Sequence, residues 1–283
     1  MNTEKKFVAV LMSDPKMILD DKAYYGPMLR ALSGALLEKG AIMRPVQCHH
    51  QHQKQHFLLS PESTYLGIVV LGQMYKHREF VETVVRRMPG PKVMLDHHFD
   101  DIPMHSVRED ALAGMRMLTE HVLSLGHRHI AYLDMDRPDA NPWKREGLNL
   151  ALRQAGRSEL PTGWVAGCRI NFRDAAAALE WFQDLRPRPT GVICCDDGRA
   201  LLLLQAAAEQ GMRVPDDLSI AGYGDTAVTT GRSNILTSVA FASEALGRKA
   251  AELVLRPADA KPESVLVPPR IAVRGSTAAP GSA

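Results

Sequence analysis

The sequence is poor in cysteine and lacks long apolar runs, and both absences narrow its class. Its four cysteines follow no C-x-x-C spacing, so we expect buried free thiols in a reducing compartment: Cys48, Cys168, Cys194 and Cys195. No stretch is long enough to span a bilayer, and the apolar run near the start meets Ser13 too soon for a signal peptide. We therefore predict a cytoplasmic protein with no membrane partner.

A strong excess of either charge is also missing. The 34 Lys and Arg residues face 32 Asp and Glu residues, which leaves a net charge of +2. Overall charge therefore gives no indication of binding to phosphate backbones. With 45% hydrophobic residues over 283 positions, the chain is long enough for one large globular domain or for two lobes, each with its own core.

Motifs for catalysis or cofactor binding are missing as well. The chain has no G-x-S-x-G, no H-E-x-x-H, no G-x-x-x-x-G-K-[ST] and no G-x-G-x-x-G that opens a helix. We therefore predict that the protein is not an enzyme and uses no cofactor.

Histidines gather in two segments, each with two interpretations. In the first, spacings of three and four place imidazoles on one helical face, as a metal site needs. Because no cysteine or carboxylate ligand lies nearby, we predict no metal, and the role of these four stays open: His49, His50, His52 and His56. The second group either faces a cleft or lies in a solvated loop, and we expect the solvated loop. Its members are His97, His98 and His105.

What the sequence does have is an alternation of short β-branched apolar runs with longer stretches of helical period. This pattern is typical of parallel βαβ units. Strands are predicted at residues 7–12, 42–46, 65–71, 92–95, 129–134, 164–168, 191–195, 218–222, 236–241 and 264–273. Helices are predicted at residues 24–39, 78–88, 110–125, 142–154, 173–185, 200–210 and 243–255.

The alternation predicts an α/β fold with two Rossmann-like, doubly wound parallel-sheet lobes joined by several crossovers. We assign residues 6–126 and about 236–258 to the N-terminal lobe. Residues 127–235 and about 264–276 form the predicted C-terminal lobe. The small and polar residues 277–283 are expected to fray.

Four segments, in order, resemble one known family. Asp110 opens a helix that a Gly-His pair closes, Lys144 stands in an R-x-x-G position, and Asp197 stands in an Asn-Asp position. The last segment ends in an Arg-x-Ser form. The segments are residues 106–134, 144–156, 190–225 and 236–276. Together they resemble the effector-binding core of LacI/GalR-family transcriptional regulators, which has the periplasmic-binding-protein type I architecture.

The resemblance implies a ligand sensor. Such a core closes two lobes on a small polar effector, a sugar or sugar derivative, and as a homodimer it controls DNA binding and transcription. No helix-turn-helix or hinge helix is recognisable before Phe7, so DNA binding is expected only through a headpiece that this sequence lacks.

The resemblance also implies ligand-binding residues in the first half of the chain. Tyr24 and Tyr25 match an aromatic pair that stacks on the ligand, although aromatic residues at a helix start also pack into cores. Asp110 is expected to accept hydrogen bonds from ligand hydroxyls, and its alternative role is to cap its helix.

Four further candidates lie in the second half. Trp143 and Lys144 are expected to close on the ligand, and Asp197 either binds it or caps a helix together with Asp196. The resembled family usually has an aspartate at the position that Gly224 occupies in this chain. Asp225 is the nearest carboxylate to that position and is the candidate in its place. Lysine in place of the family's arginine replaces a planar fork of donors by a point charge.

Two other functions compete with the sensor. A stand-alone solute-binding protein of the same fold requires export, for which we see no signal peptide. An enzyme on a Rossmann-like scaffold would use the carboxylates of Asp196 and Asp197, and turnover of a sugar phosphate or nucleotide would reveal it.

Overall fold

The computed structural model describes residues 6–13, 24–48, 65–72, 74, 78–83, 85–135, 142–169, 171–226 and 235–281. It divides the chain into two compact units. Unit 1 consists of Met1–Glu109 and Ala242–Val267, and unit 2 consists of Asp110–Phe241 and Pro268–Ala283.

Both units are built from alternating strands and helices. In chain order the elements are β1 (Lys6–Met12), α1 (Tyr25–Glu38), β2 (Ala41–Gln47), β3 (Tyr65–Leu71), α2 (Arg78–Thr83), β4 (Lys92–Leu95), β5 (His105–Glu109), α3 (Ala111–Ser124), β6 (Ile130–Met135), α4 (Pro142–Gln154), β7 (Val165–Cys168), α5 (Phe172–Asp184), β8 (Gly191–Cys194), α6 (Asp197–Glu209), β9 (Ser219–Gly224), β10 (Thr237–Ala240), α7 (Ser243–Val254), β11 (Ser264–Val267) and β12 (Arg270–Ala272). Short 3-10 turns lie at Val85–Arg87 and Thr162–Trp164.

Unit 1 contains a six-stranded sheet in the order β11-β5-β4-β3-β1-β2, with every neighbouring pair parallel. Helix α1 buries Met28, Leu29, Leu32 and Leu36 in the core that also contains α7. Each fully buried side chain of this kind contributes about 1.5–3 kcal/mol. Gly247 of α7 lets the two helices approach closely, because a Cβ there would lie 2.2 Å from the carbonyl oxygen of Met28.

Unit 2 contains a second six-stranded sheet in the order β12-β10-β9-β8-β6-β7. Its strands are parallel except β12, which pairs antiparallel with β10. Apolar residues of α5 and α6 form one core with the sheet, and apolar residues of α3 and α4 form another. The two sheets with their helices confirm the predicted α/β class. No helix in the described part of the chain has both the length and the apolar character that a membrane span requires.

The boundaries of the units differ from the predicted ones. Helix α3 belongs to unit 2, because it packs on α4 so closely that a Cβ on Gly147 would lie 2.3 Å from the carbonyl oxygen of Leu112. The last strands exchange places: β10 pairs with β9 of unit 2, and β11 pairs with β5 of unit 1. Hydrogen bonding decides which sheet each of these strands joins, and the order of the strands along the chain does not reveal this pairing.

Two segments that were predicted to be a solvated loop or a frayed end are instead packed against the rest of their units. His105 begins β5 and is buried, so it does not belong to a solvated loop. The chain beyond residue 276 was expected to fray, yet Thr277 is buried and the Ala278 carbonyl oxygen accepts from Ser219 Oγ at 3.2 Å. His127 Nε2 also lies 2.8 Å from that oxygen. Residues 282 and 283 lie outside the described residues.

Candidate functional site

Ligands of parallel α/β sheets bind beyond the carboxyl ends of the strands, so these ends define the candidate site in each unit. In unit 1, Tyr24 precedes α1 and Tyr25 begins it, with ring centroids 4.8 Å apart and an edge-to-face angle of 65°. Both hydroxyl groups donate to Asp96, Tyr24 to Oδ1 and Tyr25 to Oδ2 at 3.2 Å. The structure thus joins the predicted aromatic pair to a carboxylate that sequence reasoning missed.

Asp96 follows directly after β4 and has a left-handed backbone with φ of 74°. Aspartate tolerates this conformation better than most residues. The Asp96 amide donates to the carbonyl oxygen of Val107 at 2.7 Å, which ties the turn to β5. The neighbouring chain also fits tightly, since a Cβ on Gly72 would lie 2.8 Å from the Asp96 carbonyl oxygen. A carboxylate directly after a buried strand is the sequence signal that could have identified this position.

Burial, followed by the charge of Asp96, raises the pKa of the Tyr24 hydroxyl well above its usual value. The phenol therefore stays neutral at physiological pH and keeps its proton to donate. The pair of tyrosines and Asp96 form a fixed set of an aromatic surface, two hydroxyl groups and a carboxylate. We refer to these three residues as the tyrosine-carboxylate cluster.

In unit 2, Asp197 lies at the start of α6 and is 1% exposed. Its Oδ1 accepts from Ser238 Oγ at 2.6 Å, and its Oδ2 accepts from the Thr226 amide at 3.0 Å. The Ser238 oxygen in turn accepts from the Asp225 amide at 3.1 Å. Asp197 therefore links the ends of β9 and β10, and its role toward a ligand stays a prediction.

Asp196, not Asp197, caps helix α6. Its Oδ1 accepts from the Arg199 amide at 2.8 Å, and its Oδ2 pairs with the buried Arg199 guanidinium. The capping alternative weighed for this pair of carboxylates thus applies to the first of them.

Asp225 follows β9 and adopts a positive φ of 45°. Its carboxylate forms an ion pair with Arg274, with Nη1 2.7 Å from Oδ1 and Nη2 3.0 Å from Oδ2. Both side chains are more than four-fifths buried, so the pair is shielded from solvent. Arg274, noted in the sequence only as part of the closing Arg-x-Ser form, fixes the carboxylate at this strand end.

Lys144 is 8% exposed, although most lysines on helices are solvated. Its Nζ donates to the Cys195 carbonyl oxygen at 2.7 Å and lies 3.9 Å from the centre of the Tyr223 ring. Burial raises the pKa of the Cys195 thiol to about 12, so this cysteine is not a thiolate at neutral pH. The neighbouring Trp143 is 49% exposed.

Asp110 caps helix α3, since its Oδ1 accepts from the Ala113 amide at 2.9 Å. The structural alternative for this residue is therefore observed, and its ligand role stays a prediction.

Metal binding has no support among the described residues, where no group of three or more His, Cys, Asp or Glu side chains is arranged around a common point. The histidines at positions 49, 50, 52 and 56 lie outside the described residues. In the second group, His98 Nδ1 lies 3.1 Å from Ser106 Oγ, and His105 Nδ1 accepts from the Glu263 amide at 3.1 Å.

Comparison with known proteins agrees with this architecture. The model of the periplasmic binding protein-like domain matches residues 119–277, more than half of the chain. The arabinose metabolism transcriptional repressor of Halalkalibacterium halodurans is 28% identical over 205 residues, which cover 69% of this chain and 54% of the repressor. The ribose operon repressor of Haemophilus influenzae is 28% identical over 167 residues, 59% of this chain and 50% of the repressor.

The chain thus spans about half the length of these two curated relatives. Among solved structures, a regulatory protein of the LacI family from Chloroflexus aggregans superposes with a TM-score of 0.78. The superposition covers 96% of this chain and 98% of that protein at 20% identity. At this identity the likeness establishes a shared fold.

Proposed function

Because the chain belongs to the periplasmic-binding-protein-like family, in the form found in LacI-type regulators, we propose that it is the effector-sensing part of a transcription regulator. Its effector is a small polar molecule, a sugar or sugar derivative. Binding of that molecule controls DNA binding and transcription.

The tyrosine-carboxylate cluster is the observation that carries this proposal. A sugar presents hydroxyl groups at its rim and apolar C–H groups on its faces. Tyr24 and Tyr25 offer aromatic surface, and Asp96 accepts hydrogen bonds from hydroxyl groups. Because the three side chains hold one another in place, little conformational entropy is lost when a ligand binds.

In unit 2 the proposal assigns ligand contacts at the strand ends to Asp225 and Lys144. Arg274 holds the Asp225 carboxylate, and Cys195 and Tyr223 hold the Lys144 ammonium group. Charged groups fixed in a buried setting form stronger hydrogen bonds to a ligand than solvated ones.

The remaining predicted residues have narrower roles in the proposal. Trp143 supplies exposed aromatic surface next to Lys144. Asp110 offers the ligand its second carboxylate oxygen while the first caps α3. Asp197 acts through Ser238 and the Thr226 amide, and thereby sets the position of Asp225.

Regulation follows from differential affinity in the proposed mechanism. A ligand shifts an equilibrium between two conformations only by the ratio of its affinities for them, and a shift from 1:99 to 99:1 needs about 5.5 kcal/mol. We propose that a homodimer of this protein in the cytoplasm passes such a shift to a DNA-binding headpiece. The names of the arabinose and ribose repressors support a pentose or a related sugar as the first candidate.

A thermal-shift screen tests the proposal. The panel contains pentoses, hexoses, sugar acids, polyols, phosphosugars and nucleobases. A ligand at 100 times its Kd that binds only the folded state adds about 2.7 kcal/mol of stability, which raises Tm measurably. A rise with one sugar class supports the proposal, and no rise with any sugar at millimolar concentration contradicts it.

Variants in unit 1 then locate the site. Asp96→Asn and Tyr25→Phe should weaken binding of the identified sugar by about 10- to 100-fold, the effect of losing a hydrogen bond to a charged group. Tyr65→Phe is the matched control, because Tyr65 begins β3 at the amino end of the same sheet and its hydroxyl has no hydrogen-bond partner among the described residues. Equal affinities in all three variants would place the ligand elsewhere.

A further inference from the structure

Unit 2 contains a cavity of about 680 Å³ at the amino ends of β6 and β7. Its walls include Ile130, which begins β6, and Trp164, which directly precedes β7. The carboxyl ends of these parallel strands lie at the opposite end of the sheet, where Lys144 contacts the carbonyl oxygen of Cys195. The cavity is thus separate from the strand ends described above, and its volume lies in the range of about 300–1,000 Å³ found for small-molecule pockets.

The cavity is positively charged. Three arginines line it: Arg128, Arg157 and Arg186. Among the described residues of its wall, the single carboxylate is Glu159, and its Oε1 accepts from Arg153, which lies outside the wall. Arg153 also pairs with Glu146 at 2.5 Å, so it neutralises Glu159 only in part. Three guanidinium groups against one carboxylate still give the wall a net positive charge.

Two of these guanidinium groups are held by the backbone. Arg157 Nη1 donates to the carbonyl oxygens of His127 at 3.2 Å and Arg128 at 2.7 Å. Arg186 Nη1 donates to two carbonyl oxygens around the end of α5, at 2.8 and 2.9 Å. A guanidinium carries five N–H donors, so Nε and Nη2 of each arginine keep donors for an anion. Planar guanidinium groups match phosphate oxygens in pairs.

The rest of the wall is mostly aromatic and apolar. The rings of His129 and Trp164 lie 5.8 Å apart at an angle of 51°, and Leu152, Leu160 and Pro161 line the same cavity. Aromatic side chains of this kind stack on a flat ring. We propose that this cavity is a second binding site, for an organic phosphate that carries a planar ring, of the class of nucleoside monophosphates.

Isothermal titration calorimetry of the full chain with AMP, adenosine and inorganic phosphate tests this proposal at constant low ionic strength. We expect AMP to bind at least 10-fold more tightly than adenosine or phosphate, because only AMP engages both the arginines and the rings. The double variant Arg128→Gln/Arg186→Gln should weaken AMP binding at least 10-fold. Arg188→Gln is the matched control, since this exposed arginine follows Arg186 closely but does not line the cavity.

Arg157→Lys gives an independent measurement, because it keeps the charge and loses the second donor pair. It should weaken AMP binding several-fold while circular dichroism shows the native content of helix and strand. The proposal is overturned if AMP does not bind, if phosphate binds as tightly as AMP, or if the double variant binds AMP as the native protein does. These outcomes do not depend on the sugar screen, because none of the variants touches the tyrosine-carboxylate cluster.

Discussion

Alanine at position 222 tests whether the buried carboxylate of Asp197 organises the ends of β9 and β10. Gly222 lies inside β9, and a Cβ there would lie 2.3 Å from Asp197 Oδ1 and 2.9 Å from Leu236 Cδ2. Real Cβ atoms essentially never approach a neighbour more closely than 3.0 Å. The Asp197 carboxylate must therefore move, and it then loses its geometry toward Ser238 Oγ and the Thr226 amide.

The expected cost follows from these contacts. Overpacking of a buried position costs about 1–3 kcal/mol. A buried donor that loses its acceptor costs about 1–3 kcal/mol, and one or both of the donors to Asp197 are affected. With one donor affected, we therefore expect Gly222→Ala to lower the free energy of unfolding by about 2–6 kcal/mol, measured by urea unfolding at an unchanged m-value.

Two glycine variants serve as controls for Gly222→Ala. Gly163 lies in unit 2, and a Cβ added there would meet no atom within 4 Å, so Gly163→Ala should change stability by less than about 0.5 kcal/mol. Gly34 lies inside α1 with equally open space, and Gly34→Ala should stabilise the protein by up to about 1 kcal/mol through helix propensity. A change below about 0.5 kcal/mol for Gly222→Ala would refute the role given to Asp197.

Three further predictions concern single side chains. Lys144→Met should lower the free energy of unfolding by about 1–3 kcal/mol in urea, because the buried Cys195 carbonyl oxygen loses its donor. Asp110→Ala should lower the free energy of unfolding by about 0.5–2 kcal/mol, because helix α3 loses its cap. Asp110→Ser keeps a capping oxygen and should preserve stability. If both variants lower the affinity for the sugar equally, the carboxylate has a role in ligand binding. Burial lowers the pKa of His127, so the folded state binds a proton less readily than the unfolded state. The free energy of unfolding should therefore be highest above about pH 6.5 and should decrease toward pH 5.5. This decrease should be smaller in His127→Gln.

Periodicity and caps predict much of the fold. The continuous apolar run of β3 identifies its limits, Tyr65–Leu71, and a cap with helical spacing identifies α3 to within one residue at each end. Strand β5 is different, because its letters HSVRE are mostly polar. Its Ser106 is buried, and the Ser106 hydroxyl group is satisfied because it donates to Ser264 Oγ at 2.9 Å, 158 positions further along the chain. A polar strand of this kind cannot be recognised before its partner is known.

The candidate site shows the same division. Family resemblance predicted Tyr24 and Tyr25, yet it did not reveal that both donate to Asp96, about 70 positions further along the chain. Resemblance also directed attention to Lys144, but helical periodicity gave no reason to expect its burial over the Tyr223 ring. Contacts between distant strand ends depend on register and packing, which local sequence patterns do not encode.

The way the chain passes between the units has a consequence for synthesis on the ribosome. Unit 1 is interrupted after Glu109 and resumes at Ala242, and unit 2 resumes at Pro268. Domains fold as units while the chain emerges from its amino end. The apolar side of α1 therefore stays uncovered until α7 (Ser243–Val254) has been translated, and the sheet of unit 2 lacks its last strand until β12 (Arg270–Ala272) has been translated. In a nascent chain of this protein, both units should therefore stay incomplete until the segments that follow Phe241 have emerged.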